Sequence, residues 1–302
     1  MAKLRAVALA GGTHGNELTG AYVVKNAQWL FRHWQHSFSI TPFLANPAAF
    51  QIVRRYVDQD LNRCFGPAAP QAPTTVEQHR AREIIDQYRT MDFIIDLHTT
   101  TSYMGNTLIL SRPDPVSLQI AFAVKQRLKD LKLIIWGINT AEPPILSSLL
   151  PGFTHEIGPV AQGLLDPDIF QQTLATLETV FDCIDQYNND QLPAIDSEQV
   201  YVHHGPDYDF PRDEEGSLTG YIHRDFLHRN FEPLKKGDPL FTRFDGTEIT
   251  YDGEEGLCPL FINEAAYYEK GIAFTLVKEQ RWTRTDQPGF LTSDRREGGI
   301  SG

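Results

Sequence analysis

From residue 5 to residue 188, apolar residues fall in short blocks, and the period of the blocks changes along the chain. "RAVALA" (5–10) is a run of small apolar residues that reads as a buried strand. In the following "NELTGAYVVKNAQWLFRH", Leu18, Tyr22, Val23, Leu30 and Phe31 make a helical stripe, which predicts one helix entered through a turn on Gly11 and Gly12. "FSITPFLANPAAF" predicts a second strand ending in a loop at Asn46 and Pro47. A charged helix begins near Thr75, with Ile84, Ile85 and Tyr88 inward. "DFIIDLHTTT", "NTLILS" and "KLIIWGI" read as strands, with a helix over "PVSLQIAFAVKQRLKDL". "FTHEIGP" is a short strand and loop. It leads to a long helix over "DPDIFQQTLATLETVFDCIDQYNN", capped by Asp166 or Asp168. Strands alternating with helices predict an α/β fold.

The pattern changes near "NNDQLPAIDSEQ" (188–199). Beyond it, short alternating stretches are separated by glycine and aspartate turns, as expected of a smaller, mainly β region. The expected division is a domain over residues 1–190 and a mainly β C-terminal domain over 191–302. The polar, glycine-rich tail is expected to be mobile from about residue 283.

A chain of 302 residues with 41% hydrophobic positions can build a core without disulfides. Its net charge of -12 argues against a nucleic-acid or anionic-membrane partner, and means that an anionic substrate would need local arginines. Cys64, Cys183 and Cys258 are scattered and odd in number, which fits reduced thiols and a cytoplasmic location. The N-terminal apolar run is short and passes straight into a histidine motif, so it reads as a first strand rather than a signal segment. No apolar stretch is long enough for a membrane span. A homo-oligomer is compatible with the sequence.

In open α/β sheets, sites gather beyond the carboxyl ends of strands. His14 and Glu17 follow the first strand, and His98 ends "FIIDL". Two imidazoles and a carboxylate make a set that suits a catalytic zinc with one position left for water. Ordinary strand-end loops carry the same residue types, so spacing alone leaves both readings open. Asp96 is either an acceptor orienting the His98 ring or a strand-end cap.

"RRYVDQDLNRCF" places Arg55, Asp60, Asn62 and Arg63 in a segment too polar for a core element. Arg63 and Asn62 could hold a carboxylate, and Arg55 could face a developing oxyanion; a surface loop with salt bridges is the alternative. "THEIGP" puts Glu156 among apolar neighbours, where it is either a proton carrier or half of an ion pair. "NEAAYYEKG" offers Glu264, Tyr267 and Tyr268, and either tyrosine could reach a carboxylate or simply pack. His203 and His204 read as a solvated pair. His33, His36, His79, His223 and His228 read as surface residues.

In chain order, "GGTHGNELTG", "DQDLNRCFG", "DLHTTTSYMGNTLIL", "EIGPVAQGLL", "DFPRD" and "NEAAYYEKG" resemble the aspartoacylase family from about residue 7 to residue 277. The resemblance implies a zinc-carboxypeptidase-like α/β domain with a mixed central sheet flanked by helices, followed by a smaller β domain partly covering the site. It implies one Zn2+ per chain on His14, Glu17 and His98. It further implies Glu156 as the catalytic carboxylate, Arg55 as the group polarising the amide carbonyl, and Asn62, Arg63 and Tyr267 as the substrate-carboxylate site, with Asp60 fixing the arginine loop. The implied reaction is hydrolysis of an N-acyl amino acid.

Two departures stand out. Aspartate-preferring members carry a further arginine roughly ten residues before the catalytic glutamate. Here the stretch from Asn139 reads "NTAEPPILSSLLPGF", Leu146 falls near the expected place, and no arginine occurs between Arg127 and Arg212. Lys129 and Lys132 are candidate substitutes placed early for the alignment. The other departure is Thr99, where the mammalian-type pattern has asparagine. N-acetyl-L-aspartate is the family expectation, and the missing arginine sets N-acetylated aromatic or neutral amino acids beside it. A non-catalytic metabolite-binding protein on the same scaffold is the rival of a different class.

Overall fold

A computed structural model describes residues 3–66, 72–136 and 145–283. The chain opens with β1 (Ala6–Gly11), α1 (Leu18–Lys25), α2 (Ala27–Leu30), β2 (Ser39–Leu44) and α3 (Pro47–Gln51). It continues through α4 (Val76–Tyr88), β3 (Phe93–Thr99), β4 (Gly105–Leu110), α5 (Pro115–Arg127), β5 (Lys132–Ile135), β6 (Gly152–Gly158) and α6 (Pro167–Asn188). The remaining strands are β7 (Ser197–His203), β8 (Gly220–Ile222), β9 (Pro239–Arg243), β10 (Glu248–Thr250), β11 (Leu257–Leu260) and β12 (Thr275–Thr283).

Among the described residues, nine strands form one mixed sheet in the order β11-β12-β7-β5-β4-β6-β3-β1-β2. The pairs β2/β1, β1/β3 and β3/β6 are parallel, whereas β4 runs antiparallel to β6. The C-terminal segment therefore divides: β7, β12 and β11 extend the central sheet beyond β5, and β8 to β10 make a separate three-stranded sheet. Period-two alternation predicts the strands but not which sheet edge each one joins.

The sheet is covered on both faces, as a largely parallel core requires. Val7, Leu9, Phe93, Ile95, Leu97 and Phe153 pack with α1, α5 and α6, while Ala8, Ala10 and Ile94 pack with Ile84 and Tyr88 of α4. A third cluster, built on Phe226, Phe241, Tyr251 and Phe274, supports the small sheet.

The expected single helix after the first strand is two helices, because Asn26 ends α1 with its amide on the Tyr22 carbonyl (2.8 Å). Asp166, not Asp168, caps α6: its Oδ1 accepts from the Asp168 and Ile169 amides, and Pro167 takes the first helical position. No helix among the described residues is long and apolar enough to cross a membrane. The tail from residue 284 lies outside the described residues.

Candidate active site

The turn after β1 is shaped by two glycines. Gly12 has φ of 68°, and a Cβ on Gly15 would meet the Ala49 carbonyl carbon at 2.1 Å. The Glu17 amide then bonds the His14 carbonyl (3.1 Å), turning both side chains toward the end of β3. There, Asp96 and His98 share one face of the strand because they are two residues apart. His14, Glu17 and His98 are all buried, and their donor atoms lie within 4.8 Å of one another.

The orientation of the rings is specific. His14 Nδ1 is 2.6 Å from Glu17 Oε1, and His98 Nδ1 is 3.0 Å from Glu17 Oε2. The opposite nitrogens face other carboxylates: His14 Nε2 meets Asp60 Oδ1 at 3.1 Å, and His98 Nε2 meets Asp96 Oδ2 at 2.8 Å. Asp96 is itself held by the Thr13 hydroxyl (2.7 Å). Asp60 and Asp96 are placed to accept from the Nε2 hydrogens, which leaves the Nδ1 side of each ring, the side facing Glu17, as the one that would offer a lone pair to a metal ion. Two imidazole lone pairs and a carboxylate facing one point fit a divalent ion.

The electrostatics agree. Burial disfavours the Glu17 charge, yet His14 and His98 hold its carboxyl well below the usual carboxylate range. Burial likewise opposes the charge of His98, but Asp96 and Glu17 push its pKa well above the ordinary histidine value. Positive charge is favoured at this point, and a divalent cation satisfies the same preference.

The arginine loop closes one side. Arg55 spans Glu17 Oε1 (3.4 Å) and Asp60 Oδ2 (3.2 Å) with its two terminal nitrogens. Asp60 thus serves His14, Arg55 and the Asn62 amide together, so it holds a ring as well as the loop. Asn62 reaches toward His98 Nε2 (3.5 Å) and accepts from the Leu146 amide (3.1 Å). Arg63 is half-buried and donates to the Asn62 carbonyl (3.1 Å).

Glu156 stands on β6 in register with His98 on β3. It is buried, and its Oε1 has no hydrogen-bond partner among the described residues. Burial is the main cause of a carboxyl pKa well above the usual value; Glu17 and Glu264 add to it, and His98 and Arg55 oppose it. The neighbouring His155 points to the other side of the strand, where burial lowers its pKa to about 3 and its Nε2 bonds Asn106.

The C-terminal region completes the wall. Glu264 is buried and accepts hydrogen bonds from both the amide and hydroxyl of Thr101, and from the Thr100 hydroxyl, at the end of β3. This clamp sets the following turn, so that Tyr267 lines the cavity while the Tyr268 hydroxyl goes to Asn263 (2.7 Å). The cavity measures about 130 Å³. Beside the groups above, Ile109, Trp136, Ile145, Phe261 and Ile272 line it.

Several sequence candidates lie elsewhere. Neither Lys129 nor Lys132 lines the cavity: Lys129 reaches Gln126, and Lys132 lies over the Phe231 ring. Leu146 packs in the core with Ile84 and Ile94, and it is Ile145 that faces the cavity. Residues 139–144 of the same stretch lie outside the described residues. His203 packs at a tilt against the Trp136 ring (centroids 4.5 Å apart) and His204 pairs with Glu254 (3.6 Å), so the two do not converge. His36 is not a surface residue; it bonds Asp185 (2.8 Å) and stacks on Phe38. Lys270, on the cavity wall 4.0 Å from Asp60, and Glu77, beneath the arginine loop, were not distinguished by spacing or composition.

The sequence profile of the Succinylglutamate desuccinylase/Aspartoacylase catalytic domain matches residues 3–184, and that of the AstE/AspA barrel-sandwich hybrid domain matches residues 198–279. A Nostoc protein described as "Probable aspartoacylase" is 40% identical over 93% of this chain and 98% of its own length. The human N-acyl-aromatic-L-amino acid amidohydrolase (carboxylate-forming) is 39% identical over 95% of this chain and 94% of its own. The crystal structure of murine aminoacylase 3 superposes with a TM-score of 0.86 at 33% identity, covering 94% of this chain and 98% of that one.

Proposed function

The chain belongs to the succinylglutamate desuccinylase/aspartoacylase family, and from that premise we propose that it hydrolyses the amide of an N-acyl amino acid to a carboxylate and a free amino acid. The observation that carries the reading is the convergence of His14, Glu17 and His98 beside Glu156 and Arg55 in one cavity. His14, Glu17 and His98 would hold one Zn2+, the divalent ion that two imidazoles and a carboxylate suit best. When bound, that ion supplies electrophilic activation of the attacking water and of the acyl carbonyl.

The chain's own residues do the rest. Glu156 takes a proton from the attacking water on a carboxylate oxygen and returns it to the leaving nitrogen, a double duty that suits a carboxyl with a raised pKa. Arg55, held in place by Glu17 and Asp60, turns positive charge toward the oxygen that becomes anionic. Asn62, Arg63 and Tyr267 bind the α-carboxylate and fix the scissile bond. Asp60 and Asp96 orient the two imidazoles.

For the amino-acid side chain, the cavity supports an aromatic or otherwise uncharged group. Ile109, Trp136, Ile145, Phe261 and Ile272 offer apolar surface, and the cations on the described wall are Arg55, Arg63 and Lys270. With the two arginines assigned to the carbonyl and the α-carboxylate, burying an aspartate side chain without a counter-charge is costly. Lys270 carries the second reading, N-acetyl-L-aspartate, because it places one more positive charge on the wall. The test compares kcat/KM of the zinc-loaded protein on N-acetyltyrosine, N-acetylphenylalanine and N-acetylaspartate. A preference for the aromatic substrates of about tenfold or more, worth roughly 1.4 kcal/mol, is expected. Preference for aspartate selects the second reading, and no turnover of any of the three, with zinc bound, favours a metabolite-binding role instead.

A further inference from the structure

Glu77 lies in the first turn of α4, is fully buried, and touches neither the cavity nor the three converging ligands. Its carboxylate points away from its own helix into the arginine loop. Oε1 accepts from the Val57 amide (2.7 Å) and from Asn46 Nδ2 (3.1 Å). Oε2 accepts from the Asp58 amide (3.1 Å) and the Gln59 amide (3.3 Å). Three consecutive backbone N–H groups are thus gathered on one side chain, and the loop answers with Asp58 Oδ2 on the Val76 amide (2.8 Å). Four N–H donors converge on one buried carboxylate.

The gathered residues stand between Arg55 and Asp60. Arg55 is anchored on their other side, where its carbonyl accepts from the Gly15 amide (3.1 Å) in the turn that carries His14. The guanidinium of Arg55 and the carboxylate of Asp60 then meet above Glu17 and His14. The loop has few apolar anchors of its own: Val57 is exposed, as are Ile52 and Val53 just before it. Its conformation therefore depends on the hydrogen bonds made by its backbone, and Glu77 accepts three of them.

We propose that Glu77 is a positioning residue for the reaction, acting through the 57–59 backbone to aim Arg55 and Asp60; the inference rests on the deacylase reading for its kinetic consequence. Glu77→Gln keeps the size but puts an NH2 group against N–H donors, so the loop cannot keep its path. Glu77→Asp keeps the charge and withdraws it by one methylene, which should restore part of the effect.

The experiment is a double-mutant cycle on the zinc-loaded protein. E77Q is expected to lower kcat by about 10- to 100-fold with KM little changed, since an ångström of misplacement costs on that order. E77D should fall between E77Q and wild type. In the Arg55→Ala background the further loss from E77Q should be several-fold smaller than in the wild type, because one of the two groups it aims is gone. Equal losses in both backgrounds, no loss at all, or failure of both variants to fold would each overturn the proposal. A crystal structure of E77Q supplies a reading independent of turnover: Arg55 displaced from Glu17 and Asp60 is expected, and an unmoved Arg55 refutes the idea. Absence of deacylase activity in the wild type is a separate result that counts against the reaction, and the crystallographic arm still decides the role of Glu77.

Discussion

His98 and Glu156 are register partners on adjacent parallel strands, β3 and β6, so an imidazole of the three-residue cluster and the raised-pKa carboxyl sit side by side on one sheet face. The sheet fixes their separation without help from any loop. Replacing Glu156 by Gln keeps shape and removes the group proposed to carry the proton. The expected outcome is a fall in kcat of about 10²- to 10⁴-fold with metal content unchanged. Turnover and metal analysis on the same preparation check it, and near-normal kcat would remove Glu156 from the mechanism.

The two arginines should separate kinetically. Arg55 reaches Glu17 and Asp60 at the converging cluster, whereas Arg63 is half-buried on the cavity wall. Arg55→Ala is expected to lower kcat by roughly 10²- to 10³-fold, the effect of removing an oxyanion donor. Arg63→Ala should chiefly raise KM, because the α-carboxylate contact proposed for it would be made in ground and transition states alike. Steady-state kinetics on both variants test the split, and the reverse pattern would exchange their roles.

Asp96 is wholly buried, with one oxygen on His98 Nε2 and the other on the Thr13 hydroxyl. Asp96→Asn leaves the ring without a charged acceptor. Zinc affinity, measured by chelator competition, should drop about 10- to 100-fold. Unchanged affinity would mean that the Asp96–His98 contact does nothing for the metal.

Far from the cavity, burial disfavours the charge of Asp185, but hydrogen bonds from the Ser37 hydroxyl and amide and from His36 hold its pKa below the usual aspartate value. A depressed folded-state pKa gives stability that is present above the unfolded value of about 3.9 and is lost as pH falls through the folded value. Asp185→Asn should therefore cost about 1–2 kcal/mol near neutral pH, with the two proteins converging in acid. Urea unfolding at pH 7 and at pH 3 measures this, and a constant difference at both pH values would contradict it.

The hydrophobic pattern showed the strands that matter most. β1 and β3 read directly from "RAVALA" and "FIIDLH", and strand-end logic brought His14, Glu17 and His98 to notice. The ordered motifs added Glu156, Arg55 and Tyr267. What stayed hidden depends on long-range pairing. Asp60 meets His14 from 46 positions away, and nothing in its neighbours announces an imidazole partner. Glu77 sits in a helix read only for its apolar stripe, so its buried carboxylate looked like one more solvated charge. β7, β11 and β12 carry no mark in their own residues of which sheet they join, and only the fold shows that they extend the main sheet. Lys270 reaches the cavity because Glu264 clamps the preceding turn to the end of β3, a contact spanning 164 positions.

The central claim is that His14, Glu17 and His98 bind a single divalent ion. Calorimetric titration of chelator-stripped protein with Zn2+ tests it most directly, run beside the His98→Ala variant. One saturable site per chain in the wild type, lost or greatly weakened in the variant, is the predicted result. No saturable binding, or an equal site in His98→Ala, would contradict the account.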